Sequence, residues 1–238
     1  MAAPKRFFTQ KIAEEVTLTG EEYRHAKNVL RLTEGDEVSL LDGSGKEYTA
    51  IISRVSKGEM ILHVTGEKLS DREPKADVTL LIGALKGDKT ELVVQKAAEL
   101  GVKKVVVFSS RYCAAYMNEN KLERLNRVSR EAAKQCLRAT APEVMYCDSL
   151  REALCTVRDC KTKLFACEFA TESEKDPLSA EGPCAIVVGS EGGFTQEEFA
   201  LAKEYGFAGV TLGTRILRAE TAAIAFLSVV MFGLGELK

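Results

Sequence analysis

The sequence predicts two architectures in series: a small β-barrel, then a mostly parallel α/β sheet. Three observations predict them. Short apolar and β-branched runs separated by tight polar turns occupy residues 1–68. A polar stretch with one proline, Leu69-Ser-Asp-Arg-Glu-Pro-Lys-Ala-Asp77, follows as a linker. From Val78 onward, strand-like and helix-like segments alternate. The expected domains are 1–70 and 77–238.

In the first domain, Glu37–Leu41, Glu47–Ile52 and Met60–Val64 read as strands, and Glu21–Leu30 as a short helix. Asp42-Gly-Ser-Gly45 and Ser56-Lys-Gly-Glu59 are the turns between strands. In the second domain the expected strands are Val78–Leu85, Lys104–Ser109, Glu143–Cys147, Leu164–Phe169, Ala185–Gly189 and Val210–Gly213. The expected helices are Lys89–Leu100, Asn120–Ala139, Ser149–Val157, Gln196–Tyr205 and Thr221–Gly233. Glu220 and Thr221 suit the N-terminus of the last helix, where backbone N–H groups lack partners. In Asn120–Ala139, Leu122, Leu125, Val128, Ala132 and Cys136 follow helical spacing. Lys121, Arg124, Arg127, Arg130, Lys134 and Arg138 are therefore expected to face away from the core.

Composition narrows the class. The chain has 238 residues, 45% hydrophobic and 29% charged, with a net charge of −2, so any polyanionic partner must be met by a local basic patch. The start of the chain shows no secretory apolar core. The longest apolar run, Ala222–Leu234, is well short of the ~20 residues that span a bilayer, so no membrane is expected. Seven cysteines without a C-x-x-C pair suggest reduced thiols in a cytoplasmic protein, and with two distant histidines no metal site is expected.

Two glycine-rich loops stand out. Gly189-Ser-Glu-Gly-Gly193 follows the buried run Ala185–Val188, and Gly209–Ala222 joins a strand end to an all-apolar helix. Such loops at the carboxyl edge of a parallel sheet mark a ligand site. Familiar phosphate and nucleophile motifs do not fit. Gly83–Thr90 has Asp88 where a P-loop needs glycine. The 189–193 loop is neither a dinucleotide fingerprint nor a nucleophile elbow. What the loops offer is bare backbone against which a planar ligand can lie.

Leu212–Ala222, with its Arg-Ile-Leu-Arg-Ala-Glu-Thr-Ala run, and Val188-Gly-Ser-Glu-Gly-Gly-Phe194 closely resemble the signature loops of the RsmE family. These are 16S ribosomal RNA uridine N3-methyltransferases of the SPOUT class. The resemblance runs the length of the chain, through Arg6-Phe-Phe8, His25–Arg31, Lys86-Gly-Asp-Lys89, Val94–Gly101 and Glu131–Arg138 with Pro142. There are departures. Ser190 stands where the family usually has Pro; Ser109-Ser-Arg-Tyr112 replaces a Glu-Arg-Ser motif; Arg138-Ala139 replaces Arg-Asn.

The resemblance implies a PUA-like β-barrel joined to a SPOUT α/β domain with a trefoil knot, and a homodimer acting on 16S rRNA of the small ribosomal subunit. It implies S-adenosyl-L-methionine as cofactor, held by Phe165–Phe169, Val188–Gly193 and Leu212–Leu217. The implied cofactor residues are Cys167, Val188, Gly189, Gly192, Gly193, Leu212, Gly213, Ile216, Leu217 and Thr221. Uridine N3 carries a proton at neutral pH, and a guanidinium beside the uracil carbonyls would stabilise the anion formed when it leaves. Arg218 and Arg138 are the catalytic candidates. Arg6, Arg24, Lys27, Arg31, Lys86, Arg111 and Arg138 are the candidate RNA contacts.

Overall fold

The computed structural model describes residues 5–167 and 173–237. The chain divides into two units. The first contains residues 1–73 and also 133–141, a return segment that the expected 1–70 boundary does not include.

Five strands form the sheet of the first unit: β1 (Arg6–Phe8), β2 (Glu15–Thr19), β3 (Glu37–Leu41), β4 (Lys46–Ser56) and β5 (Glu59–Leu69). Their order is β1-β3-β4-β5-β2, antiparallel except for the parallel β1–β3 pair. Strands β4 and β5 run longer than expected because register shifts at Thr49/Ala50 and Ile52/Arg54 let the pair twist and continue past its apolar residues. Strand β2 was not expected. Its signal is only the alternation of Val16 and Leu18, which point inward between exposed neighbours. Phe7, Leu40, Ile52, Met60 and Leu62 fill the core. The expected helix Glu21–Leu30 divides into α1 (Gly20–Arg24) and a π-helical turn, His25–Val29. That turn buries Ala26 and sets the His25 ring edge-on to Phe7.

At the rim, Lys5 Nζ and the Thr33 amide both donate to Asp36, at 2.7 and 2.8 Å. The Lys5 hydrogen bond and then the Thr33 amide hold the Asp36 carboxyl down, from an ordinary 3.8 to about 2. A depressed carboxylate contributes stability that is complete above its unfolded value and is lost as pH falls through the folded one. We expect an NMR titration of the folded chain to give Asp36 a midpoint of about 2, with Lys5→Met moving it back toward 3.8. An unshifted wild-type midpoint would refute the ion pair.

The return segment is fastened to this unit by buried charge. Arg6 and Glu47 form an ion pair with both side chains about nine-tenths buried, and Arg6 Nη2 donates to the Arg138 carbonyl at 3.2 Å. Lys134 Nζ meets both oxygens of Glu22, at 2.7 and 2.9 Å. Glu73 accepts the Ala139 and Thr140 amides, at 2.6 and 2.9 Å, and pairs with Arg138. These interactions correct three expectations. Lys134 and Arg138 do not face solvent with the other cations of the 120–139 segment; they are buried against carboxylates of the first unit. Arg6 is likewise buried, so its guanidinium offers no open face to a phosphate.

The second unit is the α/β sheet. Its elements are β6 (Val78–Gly83), α2 (Lys89–Glu99), β7 (Lys104–Phe108), α3 (Glu119–Gln135), β8 (Glu143–Cys147), α4 (Leu150–Cys155), β9 (Thr162–Ala166), β10 (Cys184–Val188), α5 (Gln196–Glu204), β11 (Ala208–Val210) and α6 (Ala219–Gly233). The strands are all parallel, in the order β11-β9-β10-β6-β7-β8. β6 and β10 are buried along their whole lengths, as strands covered on both faces must be. Val93, Val94, Phe226 and Leu227 pack in one apolar cluster, and Leu150, Leu154, Phe165 and Phe207 in another. From β6 the chain winds outward to β7 and β8, then resumes on the other side with β9 and β10. The winding therefore reverses between β6 and β10, and a crevice outside their carboxyl ends is where parallel sheets bind ligands.

α3 ends at Gln135, short of the expected Ala139, and Leu137 beyond it has a positive φ. β11 ends at Val210, not Gly213. α6 begins two residues early, at Ala219, with no side-chain cap. Residues 168 and 169 of the expected strand Leu164–Phe169 lie outside the described residues.

Candidate functional site

Three loops meet at the carboxyl ends of β6, β7 and β10. After β6, Thr90 fixes the chain: the Leu85 amide donates to Thr90 Oγ1 at 3.0 Å, and that hydroxyl donates back to the Leu85 carbonyl. After β10, residues 190–193 make a tight turn closed by the Gly193 amide on the Ser190 carbonyl at 3.0 Å. Phe194 then anchors the loop among Phe108 and Phe165. Two glycines permit the loops to touch. A Cβ on Gly83 would lie 2.5 Å from the Ser190 nitrogen, and one on Gly192 would lie 2.5 Å from Tyr112 Cβ. Gly193 has φ +68, a region that a β-branched side chain does not tolerate.

Lys89, at the start of α2, is the electrostatic brace. Its ammonium lies 3.4 Å from Glu191 Oε1, in the loop after β10, and 3.5 Å from Glu220 Oε1, at the start of α6. The Lys86 amide also donates to Glu191 Oε1, at 3.0 Å. Burial alone would raise the Glu191 carboxyl. Hydrogen bonds from its own amide, the Lys86 amide and Lys89 outweigh that and hold it below the usual range. The expected cap at Glu220 is therefore an ion pair instead.

The last loop, 211–218, leaves β11 and leads into α6. Gly213 has φ +100, and the space its missing Cβ would take is open. Ile216 is 92% exposed, Leu212 and Leu217 are half-buried, and Arg215, Arg218 and Thr221 are exposed. Cys167 is buried at the end of β9, its amide bonded to the Val210 carbonyl.

Three buried oxygens along this edge have no hydrogen-bond partner among the described residues: Ser110 Oγ, Ser190 Oγ and Glu220 Oε2. A buried oxygen without a partner carries a desolvation cost that a ligand donor can relieve. Bare backbone at the glycines, the open space at Gly213 and an isoleucine in water complete the set. These features fit a ligand with one flat apolar part and several hydroxyl or amino groups.

Of the residues expected in the site, Val188 ends β10, and Gly189, Gly192, Gly193, Leu212, Gly213, Ile216, Leu217, Arg218 and Thr221 fall on the loop after β10 or on the stretch from β11 into α6. Cys167 follows β9, and Lys86 and Arg111 follow β6 and β7 at the same strand ends. Arg24, Lys27 and Arg31 are exposed in the first unit, with Arg24 Nε bonded to the Gly20 carbonyl. Sequence reasoning placed Lys89 and Glu191 inside motifs without giving either a role, and it missed the part played by Gly83. Gly83 had a signal, since it ends a run that is apolar but for Thr79. The pairing of Lys89 with its carboxylates had no local signal, because Glu191 is 102 residues away in the chain and Glu220 farther still.

Known proteins match over nearly the whole chain. Residues 71–231 match the model of an RNA methyltransferase domain, and residues 18–65 that of an RNA methyltransferase PUA domain. Ribosomal RNA small subunit methyltransferase E of Bacillus subtilis is 31% identical over 237 residues, covering 94% of this chain and 93% of the relative. The Rickettsia conorii protein of the same name is 30% identical, with the same coverage. The crystal structure of ribosomal RNA small subunit methyltransferase E from Neisseria gonorrhoeae bound to S-adenosyl methionine superposes with a TM-score of 0.84 at 29% identity, covering 96% of this chain and 97% of that one. A Legionella pneumophila methyltransferase in complex with the same cofactor gives a TM-score of 0.85, also at 29% identity and with the same coverage.

Proposed function

The chain belongs to the ribosomal RNA small subunit methyltransferase E family, and we propose that it uses S-adenosyl-L-methionine to methylate N3 of one uridine in 16S rRNA. The observation that carries this reading is the loop edge itself. Backbone closed at Gly83 and Gly192, two unpartnered oxygens on Ser190 and Glu220, and an uncovered Ile216 match the shape and donors of that cofactor.

When bound, the cofactor supplies a methyl group on a sulfonium that leaves as a neutral thioether. The chain's residues bind, orient and exclude water. Leu212, Ile216 and Leu217 would hold the adenine; burying Ile216 alone would contribute about 1.5–3 kcal/mol. Among the described residues nothing crowds Gly213, so its backbone admits close approach, whereas Phe194 and Tyr112 fill the space beside Gly189 and Gly192. Lys89 holds Glu191 and Glu220 in place, so the loop after β10 and the start of α6 keep a fixed spacing during transfer. Arg218, exposed beside the start of α6, stabilises the uracil oxygens as N3 loses its proton. Arg138 no longer serves as a candidate, since it is buried beside Glu73.

The rest of the reading follows the family. The five-stranded sheet of the first unit is a PUA-like barrel that contacts RNA through Arg24, Lys27 and Arg31. The path from β10 through α5 and β11 into α6 is a trefoil knot. α6, which leaves Phe232 exposed, joins two copies into a homodimer.

The test uses small ribosomal subunits from cells lacking the protein, incubated with it and labelled S-adenosyl-L-methionine. Label is expected in N3-methyluridine of 16S rRNA. Label on ribose, on another base, or in transfer RNA alone would overturn the assignment.

A further inference from the structure

Tyr112 stands on the loop after β7, and the reaction as proposed gives it no task. Its neighbours in the chain are fastened on both sides. The Arg111 amide donates to Glu198 Oε1 at 2.9 Å, and Cys113 Sγ donates to the Ala84 carbonyl at 3.0 Å. Between these anchors Tyr112 lies directly against Gly192 of the cofactor loop. Its side chain nevertheless projects into water, 55% exposed, and Tyr116 farther along the loop is 74% exposed. Lys121 donates to the Tyr116 carbonyl at 2.6 Å and holds its ammonium 5.9 Å from that ring. Arg111 and Lys121 are both exposed. An aromatic ring fixed so firmly at its base yet left in solvent adds little to the fold. It is preorganised for a partner.

The chemistry of the site says which partner. N3 of uridine lies on the base-pairing edge, so the target base must leave its pair and its stack before methylation. Unstacked RNA bases are received on aromatic side chains, while cations meet the phosphates on either side. A tyrosine stacked on the face of a base leaves its pairing edge free. We propose that Tyr112 is a base-stacking platform for single-stranded RNA beside the methyl donor, continued by Tyr116 and Lys121 along the strand. This rests on the RNA methyltransferase reading, and it assigns a role to a position where the chain departs from the usual Glu-Arg-Ser motif.

The chain contains no tryptophan, which gives a direct readout. Tyr112→Trp creates a single reporter at the platform. Its emission is expected to be quenched when a single-stranded uridine-containing RNA is added to saturation, with saturation followed independently by anisotropy of labelled RNA. Tyr112→Ala is expected to raise KM for small subunits about tenfold, with kcat changed less than about threefold, and Tyr112→Phe to restore KM. Alanine keeps the Cβ that touches Gly192, so the calorimetric affinity for S-adenosyl-L-methionine is expected to stay within about twofold. Unchanged tryptophan emission at saturating RNA would overturn the platform, as would an alanine KM within twofold of wild type or a lost cofactor affinity. If Tyr112→Trp is quenched as expected but the wild-type protein transfers no methyl group to N3, the functional reading falls and the platform stands.

Discussion

Glu47→Ala is expected to lower folding stability by about 3–5 kcal/mol, the cost of removing one partner from a buried ion pair. Arg6 is 7% exposed, and its Nε has no hydrogen-bond partner among the described residues. Without Glu47 its guanidinium keeps, among those residues, the bond to the Arg138 carbonyl, too little to offset a buried charge. Lys68→Ala is the internal control. That lysine also reaches Glu47, at 3.4 Å, but its side chain is 71% exposed, so its loss costs about 0–1 kcal/mol. Urea unfolding followed by circular dichroism separates the two. Equal, small shifts in midpoint for both variants would show that the Arg6–Glu47 pair is not the buried contact described here. Replacing Arg6 and Glu47 together with apolar residues of similar volume is expected to recover much of the loss, since burying a charge pair also carries its own desolvation cost.

Gly83→Ala is expected to weaken S-adenosyl-L-methionine binding at least about tenfold and to cost about 1–3 kcal/mol of stability through overpacking. The added carbon would lie 2.5 Å from the Ser190 nitrogen and 3.0 Å from the Gly189 carbonyl carbon. Both are backbone atoms, so no side chain can swing away. Either β6 or the loop after β10 must move, and that loop is the one proposed to hold the cofactor. Gly66→Ala in β5 is the comparison, because nothing lies within 4 Å of its added carbon. Calorimetry and thermal unfolding of both variants decide the matter. Wild-type affinity in Gly83→Ala would show that the loop does not line the cofactor site.

The fold class was legible because each segment of the second unit carries its own local pattern. Val78–Gly83, apolar but for Thr79, and Cys184–Val188 are buried runs, and α2, α4 and α5 start at or within one residue of their expected positions. The loops of the proposed site stood out for the same reason, through their glycines. Long-range charge was not. Helical spacing places Lys134 and Arg138 on the polar face of the 120–139 segment, but Glu22 and Glu73, carboxylates far upstream in the chain, draw them inward. The helix also stops before Arg138, so helical spacing no longer applies there. Glu220 is a similar case. A carboxylate in the first turn of a helix reads as a cap, and only the fold brings Lys89 within reach of it. Tyr112 carried no sequence signal beyond its departure from a motif. Its position matters because Gly192, on a different strand end, lies beneath it.

The return segment 133–141 also orders events during synthesis. Residues 1–73 emerge first, yet Lys134, the Arg138 carbonyl and the Ala139 and Thr140 amides are made only after the first two strands of the second sheet. At roughly 5–20 residues per second, about 60 residues of translation delay those partners by roughly 3–12 seconds. Throughout that interval Arg6, Glu22 and Glu73 on the nascent chain lack the groups that later satisfy them. The N-terminal unit therefore reaches its final packing only after translation has passed residue 141, and its maturation is tied to synthesis of the second sheet's first strands.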